Sequence, residues 1–389
     1  MTEPPLDPRA VLLRRASAVG LVLVVIAVQF SIGLAQTLYA LTLIGWVALL
    51  IVERRRPHAP RFALPLGLYA LLTLVSAALS TDPTTSVIDS RQLVLFLLVP
   101  LTYDLMTGEW ADYAATAMMS AGAVSGLVGI GQYAILNYNL DQRPHGTLGM
   151  YMTYSGLTML IVCLAVAQVL FARNGRTWAA LVVPALAVAL AVTFSRNAWI
   201  GACSAVAVLF LLKDFRLLVI LPIVGVVFLL TAPGDIQQRF FSIFDSGNLS
   251  NRDRLAMLEA GGRIVRDHPL TGVGPDMVLR AYPRYRTADA VLEMPPHLHN
   301  VPVHVAAERG LPALAAWLWF VAVAAIDLKR LFGSAVNRRW LSAAGLAAVV
   351  AMVTAGLFEY NFGDSEFLML FLFLITLPFA ASRSAATTS

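Results

Sequence analysis

Apolar runs of about twenty residues, the length an α-helix needs to cross a bilayer core, recur along the chain between short groups of arginine, proline or glycine. Twelve such runs begin near residues 16, 36, 62, 91, 114, 151, 178, 197, 216, 302, 340 and 364. The pattern predicts an all-α polytopic membrane protein with about 12 transmembrane helices. One segment breaks it. From Pro233 to His299 the apolar period disappears for about 65 residues, which predicts a large extramembrane loop with short helices. Within it the stretch from Arg252 to Val265 predicts a helix, and the HPLTGVGP that follows predicts a turn. The chain therefore divides into residues 1–232 with nine spans, the loop 233–299, and residues 300–389 with three spans and a tail. No internal repeat is evident, and the polar tail SRSAATTS is the one low-complexity stretch.

Composition agrees and narrows the function. Of 389 residues 58% are apolar and 13% charged, with a mean hydropathy of +0.73, which excludes an ordinary water-soluble enzyme. The formal charge is +5, and every basic residue except Lys213 and Lys329 is arginine, a bias that does not point to nucleic acid. Their positions say more. With the N-terminus cytoplasmic, 16 of the 28 basic residues fall in inward connections and tails, as the positive-inside rule requires for short loops, and an even span count leaves both termini in the cytoplasm. Arg14 and Arg15 precede a run that leads into a second span without a small-residue cleavage site, so no removable signal peptide is read. Cys163 and Cys203 lie inside apolar runs, where two thiols supply neither a disulfide framework nor a zinc site.

The densest polar cluster is PPHLHN, with His297, His299 and Asn300 just before the tenth span. Asn300 suits an N-cap and Pro302 a first helical turn, so His299 would stand beside the partially positive end of a helix, where a neutral ring nitrogen can take a proton. The alternative is an interfacial histidine bonded to backbone or headgroups, and this plainer reading suits His297 and His304 best. In TFSRNAW, Arg196 stands at the outer end of the seventh span, a depth that calls for a partner, a water-filled cavity or snorkelling to the interface. Arg143, in DQRPHGT, is a weaker case of the same kind. Arg252 and Arg254 either point at the membrane surface or pair with Asp253 and Glu259 on a solvated face, the second being the default. Glu359, Asp364 and Glu366 in FEYNFGDSE could partner arginines, receive a proton, or be ordinary interface residues. No Walker A, GxGxxG, HExxH or DxD pattern is present, so no metal or cofactor is signalled.

In this order, SRNAW, NRDRLAMLEAGGRIVRDHPLTGVGP, HNVPVHVAAERGLPA and FEYNFGDSE resemble the O-antigen ligase and polymerase superfamily, over residues from about 140 to 370. The ligase pattern of His, then Asn, Ser or Gln, nine variable residues and Gly is met by His299, Asn300, Val301 to Arg309, and Gly310. Ala313 stands where the family usually has a small residue or Thr, and Leu258 where it tends to have Trp. The resemblance implies a metal-independent membrane glycosyltransferase of the GT-C class in the bacterial inner membrane. It would move glycan from undecaprenyl pyrophosphate to a hydroxyl of lipid A-core on the periplasmic face, with inversion. His299 takes the family's catalytic position, and Arg196 and Arg254 its essential arginines, Arg254 lying fifteen residues before Pro269. Arg252 competes for the last position, and Arg143 joins the pyrophosphate-binding set. Arg280, Arg284 and Arg286 are weaker candidates for contacting the acceptor's phosphates, or else pair with Asp276, Asp289 and Glu293. Alternatives are an O-antigen polymerase, a protein O-oligosaccharyltransferase and, more remotely, a lipid-linked glycan transporter, although inverted repeats and interrupted midplane helices are not evident.

Overall fold

The computed structural model describes residues 7–245, 247–288, 290–334 and 338–386. The described residues are all-α in their regular structure. The helices are α1 (Pro8–Ala27), α2 (Ile32–Val52), α3 (Ala63–Ala78), α4 (Pro83–Leu105, with a 3-10 stretch at Ser90–Leu97), α5 (Glu109–Ala134), α6 (Tyr151–Phe171), α7 (Arg176–Ala191), α8 (Arg196–Lys213) and α9 (Phe215–Thr231). After them come α10 (Gly234–Phe241), α11 (Leu249–Asp267), α12 (Val278–Tyr285), α13 (Val301–Ser334), α14 (Arg339–Gly356) and α15 (Ser365–Ala386). Among the described residues nine helices are long and apolar enough to cross a membrane: α1, α2, α4, α5, α6, α8, α13, α14 and α15. Three of the expected spans fall on shorter apolar helices, α3, α7 and α9. The chain is a multi-pass, all-α membrane protein.

Consecutive long helices turn back on one another, so the connections gather at two ends. One end carries residues 28–31, 135–150, 192–195, 232–300 and 357–364 and is called the loop end; the other carries residues 53–62, 106–108 and 172–175 with the start of α1 and the close of α15, and is called the tail end. The core runs through α6, α14 and α15, where Leu160, Met352 and Phe371 are fully buried. The outer faces of α1, α2, α3 and α9 expose Leu12, Leu41, Ile44, Leu64, Leu71 and Leu230, as lipid-facing helices do.

The tail end ties its charges into pairs. Arg14 donates to Glu53 at 2.8 Å, Arg55 bridges Glu53 and Asp104, and Arg383 approaches Asp104 at 3.9 Å. Trp46 donates its indole N–H to the same Asp104 at 2.8 Å, and Arg338 pairs with Asp112 at 2.8 Å.

At the loop end α13 begins as the sequence predicts. Asn300 accepts the Val303 N–H at 2.9 Å, with Pro302 in the first turn. The helix then breaks at Gly310, whose φ of 82° and ψ of 168° leave the α region. The break frees backbone groups for the HPLTGVGP turn: Val273 N–H donates to Ala307 at 2.9 Å, Gly274 N–H to Glu308 at 2.8 Å, and Leu311 N–H to the Pro269 carbonyl at 2.8 Å. A Cβ on Gly272 would meet the Glu308 carbonyl and one on Gly310 the Leu270 carbonyl, and both residues have positive φ, so this apposition of backbones requires glycine. The fixed distance from His299 to Gly310 thus sets how far the histidine stands above the point where the loop is stitched to the helix.

The loop helix expected over 252–265 is longer, Leu249–Asp267. Its apolar face, Met257, Ala260 and Ile264, packs with Tyr282 and Leu298 in a small separate core. Hence the loop is held on the bundle by its own hydrophobic cluster as well as by the backbone bonds at the break.

Candidate active site

Three elements carry the cationic side chains of the site. Phe194, with φ of 55°, closes α7 and buries its ring beside Val192 and Ile236; the chain then restarts as α8 with Arg196 at its first position. The Arg196 guanidinium reaches under the loop, donating to the Ser242 carbonyl at 2.8 Å and to the Ser250 hydroxyl at 3.3 Å. Arg239, on α10, donates to the Phe194 carbonyl at 3.0 Å. Arg143 donates to the Leu140 carbonyl at 3.2 Å and lies over the Tyr151 ring, 4.5 Å from its centre. With Arg254 from α11 they line one cavity of about 260 Å³, and His299 forms part of its wall.

None of these four guanidinium groups forms an ion pair among the described residues. Arg196 and Arg239 are occupied by neutral oxygens, which accept a hydrogen bond but cancel no charge. Burial, with the positive neighbours Arg143, Arg196 and Arg254, pulls Arg239 down to about 10. Burial also lowers Arg254, opposed by Glu359 and reinforced by Arg143. At neutral pH Arg239 remains cationic even so. The first residues of α8 and α11 line the same space, and helix N-termini add partial positive charge and free N–H groups. Asp253 is the one acidic residue on this wall, and its carboxylate is spent on the N–H groups of Val291 and Leu292, both at 3.0 Å.

His299, on the wall of the same cavity, has φ of 48°, a left-handed conformation that is costly for a residue other than glycine. The reversal sends Leu298 into the loop core and brings both neighbouring imidazoles to Glu359. His299 Nδ1 lies 2.9 Å from Glu359 Oε2, and the Tyr360 N–H donates to Oε1 at 3.0 Å. Burial pushes the Glu359 carboxyl up, but the hydrogen bond from His299, with the neighbouring His297 and the Tyr360 N–H, brings it below the ordinary glutamate value. Glu359 is therefore a carboxylate and can only accept. It fixes the hydrogen on Nδ1 and leaves Nε2 as the acceptor nitrogen of His299.

Beneath the dyad lies a polar layer. His304 Nε2 is 3.2 Å from Glu308, Arg309 donates to Glu308 at 2.7 Å, and the His304 Nδ1 accepts the Leu298 N–H at 3.4 Å. The Tyr360 ring packs on His304, centres 3.9 Å apart. His304 is thus a satisfied core histidine that holds the histidine-bearing turn. Among the described residues His297 Nδ1 is buried without a hydrogen-bond partner, 3.7 Å from Glu359 Oε1, and burial, against the pull of Glu359, lowers its ring to about 4. The atoms of His297, His299 and Glu359 that could bind a metal all lie within 4.8 Å of one another.

The structure thus brings His299, Arg196, Arg254 and Arg143 into one cavity, and several expectations change. Arg254 does not pair with Asp253 or Glu259: Asp253 caps the 291–292 turn and Glu259 binds Arg263 at 2.6 Å. Arg252 is not among the residues lining the cavity, because two residues on a helix point about 200° apart. Arg280 pairs with Asp82 at 2.8 Å in place of Asp276, Arg286 lies 3.4 Å from Glu293 as its alternative reading had it, and Arg284 is exposed; Asp289 lies outside the described residues. Glu359 partners a histidine in place of an arginine, while Asp364 caps α15 by accepting the Phe367 N–H at 2.9 Å. Arg239 was not singled out by its neighbourhood QQRFF, and only the fold brings it to the cavity.

Residues 181–318 match the family model described as O-antigen ligase. The match includes Arg196, Arg239, Arg254, His299 and Gly310 and ends before Glu359. Among curated proteins, none matches this sequence.

Proposed function

Because this chain is a polytopic membrane protein of the O-antigen ligase superfamily, we propose that it transfers a glycan from undecaprenyl pyrophosphate to a hydroxyl of lipid A-core, without a metal and with inversion, on the periplasmic side of the inner membrane. The observation that carries this reading is the cavity with four arginines and no ion pair, facing a histidine whose Nε2 is left to accept. A pyrophosphate leaving group gains negative charge as its bond to the sugar breaks, and guanidinium groups clamp phosphate oxygens in bidentate fashion. Arg196, Arg254, Arg239 and Arg143 supply that charge in place of a divalent ion.

In the reaction the acceptor hydroxyl oxygen bonds to the anomeric carbon while the carbon–oxygen bond to pyrophosphate breaks, its electron pair staying on the phosphate oxygen. The hydroxyl proton passes to His299 Nε2, late in the step because a sugar hydroxyl is a weak acid. Glu359 holds the ring in the accepting tautomer and stabilises the imidazolium that forms, as the carboxylate of a catalytic triad does. Undecaprenyl pyrophosphate leaves, and the imidazolium returns its proton to solvent. Both chain ends lie on the opposite, cytoplasmic side in this orientation.

The test is purified protein incubated with undecaprenyl-pyrophosphate glycan and lipid A-core, with and without EDTA. Glycan appearing on lipid A-core in both samples is the expected result. A strict requirement for Mg²⁺ or Mn²⁺ would contradict the role given to arginine, and glycan lengthening on the lipid carrier with none on lipid A-core would make the protein a polymerase.

A further inference from the structure

His297 takes no part in the transfer just described, yet it is placed with care. Its Nδ1 is buried and has no hydrogen-bond partner among the described residues, and its ring is held edge-on against His299, centres 4.3 Å apart, and beside Tyr360 at 6.0 Å. Nδ1 of both imidazoles faces the same carboxylate, at 3.7 Å from Oε1 for His297 and 2.9 Å from Oε2 for His299. Ligands bound tetrahedrally at ~2.0–2.1 Å from Zn²⁺ stand about 3.3 Å from one another, and one ligand atom from each of the three residues lies within 4.8 Å of the other two. A cavity of about 290 Å³, lined by His297, Glu359, Asn197 and Asn361, opens beside the cluster and has room for a water as fourth ligand.

We propose that His297, His299 and Glu359 form a Zn²⁺ site that switches off the His299–Glu359 pair. Two imidazole nitrogens and one carboxylate favour Zn²⁺ and neighbouring transition ions over Mg²⁺ or Ca²⁺, which take all-oxygen shells. The inhibitory sign follows from the tautomer. A metal on Nδ1 of His299 displaces the hydrogen that Glu359 holds there, so the neutral ring carries its hydrogen on Nε2. The nitrogen facing the arginine cavity then donates, and cannot take the acceptor's proton. The existence of the site is independent of the proposed transfer; only the inhibition rests on that reading.

The experiment uses EDTA-stripped, full-length protein in detergent. Co²⁺ is titrated in as a spectroscopic probe, Zn²⁺ is used to displace it, and Zn²⁺ affinity is measured by competition with a chromophoric chelator. The expected result is a Co²⁺ visible band lost on Zn²⁺ addition, with transfer falling as the site fills. His297→Gln should weaken binding at least about tenfold and move the inhibition curve to higher Zn²⁺ by the same factor, with metal-free transfer within about twofold of wild type. His299→Ala should show the same loss of binding, which keeps the site testable should His297→Gln fold poorly. Wild-type Zn²⁺ affinity no greater than that of the variants would overturn the site. Zn²⁺ bound at the site with transfer unchanged or raised would overturn the switch. Were no acceptor ever glycosylated, the Co²⁺ and chelator measurements would still decide the site on their own.

Discussion

At the tail end Arg14, Arg55 and Arg383 converge on Glu53 and Asp104, whereas at the loop end Arg143, Arg196, Arg239 and Arg254 line a cavity without forming an ion pair among the described residues. The residue type is the same and so is the position, at the rim of a helical bundle. The difference lies in what stands opposite. A guanidinium matched by a carboxylate is neutralised and its donors are filled, so it fastens helices; one held by neutral oxygens keeps its charge for something else. Four like charges in one space lower stability, and a fold keeps such an arrangement where a bound anion offsets it. The contrast therefore separates an end whose charges fasten helices from an end whose charges are left for the anion proposed above, without reference to any motif.

The largest expected effect is on the binding end. His299→Ala should reduce glycan transfer by about 10²–10⁴-fold with the protein still folded, its thermal transition lowered only by the loss of the bond to Glu359. Near-normal transfer by this variant would move the catalytic role elsewhere. Next come Arg196→Lys and Arg254→Lys, each with transfer reduced about 10²-fold although the charge is kept, because an ammonium cannot reproduce a planar two-point clamp. If both retained most activity, the cavity arginines would be anchors like those at the other end.

The tail end should answer in stability. Asp104→Asn leaves Arg55 and Arg383 facing a neutral group and should cost about 2–3 kcal/mol, discounted from a fully buried pair because the arginines are partly exposed. Transfer per folded molecule should stay the same, and a specific loss of turnover would break the division between the two ends. A smaller effect belongs to His297. Its folded value of about 4 lies below the ordinary 6.5, so the unfolded chain binds more protons between those limits. The contribution is fully present above about pH 6.5 and is lost as pH falls toward 4, on the order of 2 kcal/mol for a ring that is partly exposed. Melting curves in EDTA across that range should fall more steeply for wild type than for His297→Gln; parallel curves would rule it out. The smallest effect has the opposite sign: Arg254→Gln, which removes one unpaired charge, should raise stability by about 1 kcal/mol, while Arg55→Gln lowers it.

Sequence periodicity was enough for the helical membrane architecture, since a run of twenty apolar residues has one good solution in lipid. Local pattern also gave the capping role of Asn300, which depends on neighbours within a few residues, and offered His299 and Arg196 as candidates beside plainer readings; their roles, and that of Arg254, came from the family resemblance. It could not tell Arg254 from Arg252, because the choice depends on which face of α11 the loop core takes, and Met257, Ala260 and Ile264 turn Arg254 toward the cavity. Nor could it pair Glu359 with His299 or bring Arg239 to the site. The first partner is 60 residues away, and the second sits on a short helix whose sequence has no distinguishing pattern.

Local terms thus settle the helices, from apolar length, the start of α13, from Asn300 and Pro302, and its break, from a glycine that can adopt φ of 82°. Which charges are matched is settled by packing alone. Arg55 in ERRRP and Arg254 in NRDRL each have an acidic residue and another arginine within two positions, and these neighbours do not tell which of the two is matched. One meets Asp104 across 49 residues, the other meets three more arginines across a cavity. Electrostatic energy depends on distance in space, and that distance exists only once the helices have packed.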